Sequence, residues 1–236
     1  MKQNGFSLIE SLISLAVFSL VVFSALEFFG TTRTLFFKLK SVQETRESAV
    51  SAMDKMKIDI LKSGQGLLKP ISLGLLKGLE IKEDSLVLCR REKTLLLSKD
   101  IYSGQVNVHL EDTSGLKPGR EVCISDSNKG EIQTIHAVDK ESLTLSSPLN
   151  FSYLKEESQL LLLERISLYL DAGRNILRRK VNSSSPQPLL EEVDTFHVDY
   201  VGTANLAHIR FDLQKSKENF YEMSVFPKNL AFASVR

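Results

Sequence analysis

The first residue whose type could carry chemistry is a carboxylate inside an apolar stretch. Glu10 lies in a run that stays apolar from Phe6 to Phe29, apart from serines and a second acid, Glu27. A carboxylate at the centre of a membrane helix costs roughly 2.5–3.5 kcal/mol on insertion scales and usually has a partner. The sequence therefore predicts that Glu10 meets a positive charge when this helix lies in a membrane.

Other residues capable of chemistry do not form the patterns of an active site or a metal site. The four histidines, at positions 109, 136, 197 and 208, lack the spacing of metal ligands. The stretch from Asp126 to Glu131 contains part of a calcium-loop pattern, but a hairpin turn is the favoured interpretation. Glu191, Glu192 and Asp194 are interpreted as a solvated loop edge, because adjacent strand residues point to opposite faces. We expect no enzyme activity, no cofactor and no bound metal.

The two cysteines, Cys89 and Cys123, could form one disulfide. Neither has a second cysteine nearby, so a zinc site is not indicated. A disulfide requires Cα atoms within about 7 Å, and the sequence does not give that distance. A bridge between them would fit an oxidising compartment.

The composition excludes some classes of partner. The chain has 236 residues, of which 42% are hydrophobic and 25% are charged, and its net charge is +1. The length and the hydrophobic content are enough for one large or two small domains with a buried core. A near-zero charge provides no broad basic field for nucleic acid or anionic lipid. We therefore expect no nucleic-acid partner.

Three common kinds of apolar segment do not fully account for the run from Phe6 to Phe29. A secretory signal peptide has a shorter apolar run followed by a small-residue cleavage site. An ordinary membrane anchor needs about 20 apolar residues, and Ser11 to Leu26 supplies sixteen with an acid at each end. An amphipathic surface helix would have a strong polar face, which this run lacks.

The stretch Gly5-Phe6-Ser7-Leu8-Ile9-Glu10, after a short leader with one lysine, resembles the class III leader of type IV pilins and type II secretion pseudopilins. In that family a membrane peptidase cuts after the glycine and methylates the new terminal amine. The resemblance implies cleavage between Gly5 and Phe6, N-methylation of Phe6, and an assembly role for Glu10. The implied partners are prepilin peptidase, other pilins or minor pilins contacted through the N-terminal helix, and the inner membrane.

The resemblance also implies a single-pass topology, with the leader in the bacterial cytoplasm and the head in the periplasm, before transfer to a pilus or pseudopilus. The charges alone do not select this orientation. Lys2 is the one basic residue of the leader, whereas Arg33, Lys38 and Lys40 follow the apolar run. By the positive-inside rule these residues favour the opposite arrangement.

After the apolar run, the pattern becomes that of an amphipathic helix. From Leu35 to Ile60, residues at alternating steps of four and three form one stripe, which is apolar except at Arg46. No proline interrupts residues 6–69, and Gly64 and Gly66 suit a left-handed helix end. The pattern predicts one helix of about 55 residues. A β-sheet is favoured over a coiled coil as the cover for the stripe. Residues 52–64 are also similar to the helix end of large minor pilins of the PilW and GspJ types.

The remainder of the chain predicts antiparallel strands, so the fold class is α+β. Alternating apolar and polar residues near Phe196, Ile209 and Tyr221 are typical of strands with one buried face. Closely spaced turn residues in 102–151 favour an inserted barrel or curled sheet. The predicted organisation is a leader at 1–5, a transmembrane half-helix at 6–29, an amphipathic half-helix at 30–63, a pilin-like β head at 64–101 and 152–236, and an inserted β-module at 102–151.

These features favour a minor pilin or pseudopilin that enters the initiating or tip part of a type IV pilus or type II secretion pseudopilus. The alternative is a fibre-tip binding module for adhesion or DNA uptake, displayed on the same anchor. Residues 102–151 would then carry the contact.

Overall fold

One long helix, α1, forms the N-terminal part of the described chain. The computed structural model describes residues 8–82, 85–214 and 220–231. Helix α1 spans Leu8–Lys62 without a break and has 55 residues, which confirms the predicted length and corresponds to roughly 80 Å. The chain divides into two units, Met1–Val50 and Ser51–Arg236. Helix α1 therefore accounts for the described part of the first unit and continues into the second.

The predicted apolar stripe of α1 is buried in the part of the helix that begins at Ala49 and is exposed before it. Met56 and Ile60 are fully buried within the second unit, whereas Leu35, Leu39 and Val42 remain 55–69% exposed. The expectation that a sheet covers the stripe is therefore met at the end of the helix, and the earlier apolar side chains lie on the surface of the single chain.

The second unit consists mainly of strands, and their pairings are antiparallel. The strands are β1 (Leu79–Lys82), β2 (Ser85–Leu95), β3 (Asn107–His109), β4 (Glu121–Ser125), β5 (Gly130–Val138), β6 (Ser142–Leu145), β7 (Gln159–Asp171), β8 (Ile176–Val181), β9 (Gln187–Leu190), β10 (Val193–Val201), β11 (Leu206–Leu213) and β12 (Phe220–Val225). Two short helices are also present, α2 (Leu68–Ser72) and α3 (Lys228–Ala231). The α+β class is confirmed.

Strand β7 organises the larger sheet. One of its edges pairs with β2 along most of its length, while the other edge pairs first with β4 and then with β8. The sheet order is β1-β2-β7-β4-β5-β6-β3, with β9 attached to β8. The turn between β7 and β8 contains Asn175 at a φ of 55°, which confirms the hairpin predicted there.

Six strands, in the sheet order β2-β7-β4-β5-β6-β3, close into a small barrel. An isolated bridge joins Leu97, just after β2, to Leu110, just after β3, so the last strand returns to the first. The barrel core includes Val108 and Leu143 from residues 102–151, together with Leu97 and Leu160 from outside that range. A barrel or curled sheet was predicted, but its strand pairing and core are shared with flanking residues. The domain boundaries stay a prediction.

The smaller sheet has the order β10-β11-β12. Phe196, Ile209 and Phe211 are at most 7% exposed, and the polar residues between them face outward, as the alternation predicted. Phe211 stacks on Tyr221 with ring centroids 5.3 Å apart. One face of this sheet therefore belongs to the core, as expected for period-two strands.

A left-handed glycine and a distant asparagine end helix α1. Gly64 has a φ of +71° and donates its N–H to the carbonyl oxygen of Cys89 at 2.8 Å. The side-chain Nδ2 of Asn229 donates to the carbonyl oxygens of Leu61 at 2.9 Å and Ser63 at 3.2 Å. The last carbonyl groups of a helix lack partners within the helix, so Asn229 satisfies one of them, on Leu61, together with the carbonyl group of Ser63 just beyond the helix. The predicted left-handed end is confirmed.

A buried ion-pair network fixes the last turns of α1 to the sheet. Asp59, 2% exposed, accepts hydrogen bonds from Arg179 Nε at 2.6 Å and Nη2 at 3.1 Å. Arg90 Nη1 lies 3.9 Å from the same carboxylate, and Arg90 also pairs with Glu164. The hydrogen bond to Asp59 outweighs burial and raises the pKa of Arg179. Because paired buried charges depend on each other, this network sets the position of the helix end on the sheet.

Candidate functional site

The described N-terminal part of α1 exposes apolar side chains around its circumference. Leu12, Phe23 and Phe28 are 58–75% exposed. Among the described residues, α1 is the one helix long and apolar enough to cross a membrane. Its backbone hydrogen bonds are internal, as a lipid environment requires. The hydroxyl of Ser19 donates to the carbonyl oxygen of Leu15 at 2.8 Å, so this polar group is also satisfied within the helix.

Glu10 lies in the first turn of the described helix. The apolar side chains near it in sequence, Ile9 and Ile13, are 66% and 58% exposed. The acid therefore lies on an apolar surface of the kind that a bilayer or neighbouring helices cover.

The other two predicted site residues, Gly5 and Phe6, lie outside the described residues. Cleavage between them, and methylation of the amine on Phe6, therefore stay predictions from the sequence. The sequence separation from the proposed cut is known, because Glu10 is the fifth residue of the chain that would begin at Phe6.

The helix surface becomes mixed after Glu27. Seventeen residues separate Glu10 from Glu27, which is about 26 Å along a helix. The Thr31 hydroxyl donates a hydrogen bond to the carbonyl oxygen of Glu27 at 3.0 Å. The guanidinium carbon of Arg33 lies 5.6 Å from the ring centroid of Phe37. The interpretation of Glu27 as an interfacial residue stays a prediction, and this mixed surface is compatible with it.

Cys89 and Cys123 are both free thiols in one buried cluster. Cys89 pairs with Arg165 across β2 and β7, while Cys123 pairs with Leu161 across β4 and β7. Strands β2 and β4 therefore flank β7 on opposite edges, roughly 10 Å apart. This separation exceeds the usual reach of a disulfide, so the register disfavours the bridge that the sequence allowed. Burial raises the pKa of Cys89 to about 11 and that of Cys123 to about 12.

The calcium-like stretch is a hairpin turn between β4 and β5. Asp126 Oδ1 accepts hydrogen bonds from the backbone N–H groups of Asn128 at 2.8 Å and Lys129 at 3.0 Å. Burial opposes ionisation of Asp126, but these hydrogen bonds hold its pKa below the usual value. Within the described residues, no group of three or more histidine, cysteine or acidic side chains is arranged to hold a metal ion.

Sequence reasoning missed the role of Glu131, which follows this turn. Glu131 is 8% exposed and accepts hydrogen bonds from the backbone N–H groups of Asn150 and Phe151 and from the Tyr153 hydroxyl at 3.1–3.2 Å. Burial, and then the nearby Glu131 charge, raises the pKa of Tyr153. The period-two pattern of β5 was the available signal, because it places Glu131 on the same face as the buried Ile135. The carboxylate fastens the loop before β7 to the barrel.

Comparison with known families matches residues 1–26 to the model described as "Prokaryotic N-terminal methylation motif". The chain therefore carries the class III leader of type IV pilins and pseudopilins. This leader and the apolar helix that follows it support a pilin-like subunit anchored in the inner membrane. Comparison with curated proteins gave no match.

Solved structures similar to part of the chain include three bacteriophage tailspikes. The tailspike of Acinetobacter baumannii bacteriophage AP22, in complex with an A. baumannii capsular saccharide, is 18% identical over 33% of this chain, with a TM-score of 0.30. The tailspikes of Pseudomonas phages phi297 and LKA1 are 17% and 20% identical over 31% and 29% of this chain, with TM-scores of 0.28 and 0.25. The matches span only 14–15% of the three tailspike chains.

Proposed function

We propose that this pilin-like chain is a minor pilin or pseudopilin that enters the initiating or tip part of a type IV pilus or type II secretion pseudopilus. Prepilin peptidase would cut between Gly5 and Phe6 and methylate the new amine, leaving the head in the periplasm before assembly. The observation that carries the proposal is Glu10, a carboxylate on an apolar helix at a fixed offset from the matched leader. The role is structural and not catalytic.

In the proposed chemistry, leader cleavage creates the charged group that subunit assembly then uses. Cleavage would create an amine on Phe6, and such amines have a pKa of about 8. In a stacked fibre, Glu10 of one subunit would face this amine in the next subunit. Attraction between them is partly offset by desolvation, but removing one partner leaves the other as an isolated charge. The pair would therefore favour assembly and set the axial register between subunits.

The proposal is tested by replacing Glu10 with leucine in the full chain. Glu10→Leu should still be cleaved and held in the membrane, because the leader and the apolar helix are intact. Its amount in sheared fibres, relative to the membrane fraction, should fall at least about tenfold, equivalent to ~1.4 kcal/mol. Quantitative immunoblotting measures both fractions, and mass spectrometry should find a methylated Phe6 as the first residue.

The matched control is Glu27→Leu, which removes the other acid of the apolar run and should assemble normally. Incorporation of Glu10→Leu at the wild-type level would contradict the proposed ion pair. An intact Met1, or a cut near Leu26, would contradict the proposed processing itself.

A further inference from the structure

The barrel in the second unit carries a cleft of 1010 Å³ on its outer surface. This volume is slightly above the range of roughly 300–1,000 Å³ found for small-molecule sites. The cleft is open along one side, so it could hold part of an extended ligand. The lining residues that matter here are Asp100, Tyr102, Gln105, Asn107, His109 and Lys155.

One wall of the cleft is the outward face of β3 and the residues before it. Val108 is fully buried in the barrel core, while its neighbours Asn107 and His109 are exposed. Gln105, two residues before Asn107, is also exposed. Because side chains alternate along a strand, the polar groups line one face at intervals of about 6.6 Å.

The amide groups in the cleft have fixed orientations. Gln105 Oε1 accepts a hydrogen bond from the backbone N–H of Tyr102 at 3.0 Å, and Asn107 Oδ1 accepts one from the Thr144 hydroxyl at 3.0 Å. Each amide NH₂ is therefore left as a donor. Asp100 uses Oδ1 to accept from the backbone N–H of Lys155 at 2.8 Å, which leaves a second carboxylate oxygen as an acceptor.

An aromatic ring completes the cleft. Tyr102 is 58% exposed, yet its backbone is held in place. Its carbonyl oxygen accepts from the Gln105 N–H at 3.1 Å, and the N–H of Ser103 donates to the Ser152 hydroxyl at 3.0 Å. A tyrosine provides a flat contact surface with little side-chain entropy to lose. The cleft therefore presents a ring and several polar groups on a preformed frame.

The charges of the lining residues cancel. Lys99 and Lys155 oppose Asp100 and Glu156, and Lys155 also lies 3.5 Å from Glu111. Phosphate-rich ligands require an excess of positive charge, which this cleft lacks. Val106 is the one aliphatic residue among the described residues that line the cleft. The cleft therefore does not suit a lipid tail.

We infer that this cleft binds a saccharide. Sugar hydroxyl groups both donate and accept hydrogen bonds, which suits the amide donors of Gln105 and Asn107 and the carboxylate acceptor of Asp100. The C–H face of a sugar ring can pack on Tyr102. A neutral or weakly charged sugar chain also fits the balanced charge and the open side. The inference rests on the proposed function in one respect, the location at which the cleft would be displayed.

The test is binding of the full-length protein, purified in detergent, to an array of defined neutral and acidic oligosaccharides. The bound oligosaccharide is then titrated in solution against the wild type and variants. Tyr102→Ala should weaken binding about tenfold or more, whereas Tyr102→Phe should stay within about threefold because the ring remains. Asn107→Asp replaces an amide donor by an acceptor and should also weaken binding about tenfold.

The matched control is Phe226→Ala, which removes another exposed aromatic ring, 48% exposed, that does not line the cleft. It should bind as the wild type does. Absence of binding to every oligosaccharide, or equal binding by the wild type and all cleft variants, would overturn the inference. Glu10→Leu should bind the sugar normally, so failure of the assembly proposal and failure of this one give different results.

Discussion

At the scale of single residues, two buried acids show different solutions to the same problem. Asp59 is neutralised by the guanidinium groups of Arg179 and Arg90. Glu131 is surrounded by neutral donors, including the Tyr153 hydroxyl and the N–H of Asn150. A buried charge needs either compensation or several hydrogen bonds. Asp59 joins the helix to the sheet, whereas Glu131 joins a loop to the barrel.

Asp59→Asn should destabilise the second unit by about 1.5–3 kcal/mol, because the part-buried Arg179 loses the charged partner of its two hydrogen bonds. Denaturant unfolding of the full-length protein in detergent, followed by circular dichroism, measures the change. Asp54→Asn on the same helix is the control, since Asp54 is exposed, and it should change stability by less than about 0.5 kcal/mol. Equal effects of the two variants would show that the network contributes little.

At the scale of elements, the end of α1 depends on backbone conformation and on close packing. Gly64 and Gly74 have the same φ of +71°. A Cβ atom added to Gly64 would lie 2.4 Å from Leu230 Cδ2, whereas one added to Gly74 would meet nothing within 4 Å. The two glycines therefore separate conformational strain from steric overlap.

Gly74→Ala should cost about 1–2 kcal/mol, because alanine disfavours the left-handed conformation. Gly64→Ala should cost more than Gly74→Ala, by about 1 kcal/mol, since Leu230 must also move. Thermal and denaturant unfolding of both variants provide the comparison. If Gly64→Ala were no more destabilising than Gly74→Ala, packing of α3 against the helix end would be unimportant.

The elements that the sequence predicted well are those determined by neighbouring residues. The length of α1, its left-handed end at Gly64 and the alternating strands around Ile209 follow from local spacing and turn chemistry. Contacts between distant residues were not accessible. Arg179 lies 120 residues from Asp59, and the Leu97–Leu110 bridge closes a barrel whose strand order no periodicity specifies. The cleft was missed for the same reason, although the alternation around Asn107 was visible.

At the scale of the whole molecule, the leader and the flanking charges favour opposite orientations. The matched motif includes Lys2, whereas Arg33, Lys38 and Lys40 follow the apolar run. The proposed topology follows the leader, which would place these three residues outside the cytoplasm. The positive-inside rule alone would place them in the cytoplasm.

Protease treatment of intact spheroplasts distinguishes these orientations. A periplasmic head should be digested while a cytoplasmic marker protein stays intact, and an antibody against the second unit should lose its signal. Survival of that signal until detergent opens the membrane would place the head in the cytoplasm and contradict the proposed topology. Wild-type protein before and after leader cleavage should give the same digestion, because the orientation is set on insertion.

The asparagine at the end of α1 has a consequence for the timing of folding. Asn229 bonds to carbonyl groups 168 and 166 residues earlier in the chain. Contacts at such separation form slowly, because a long loop must close first. A chain whose C-terminal part has not yet been synthesised would therefore lack a partner for these carbonyl groups. We expect the end of α1 to reach its final structure last, so that incompletely synthesised chains differ physically from finished ones at this point.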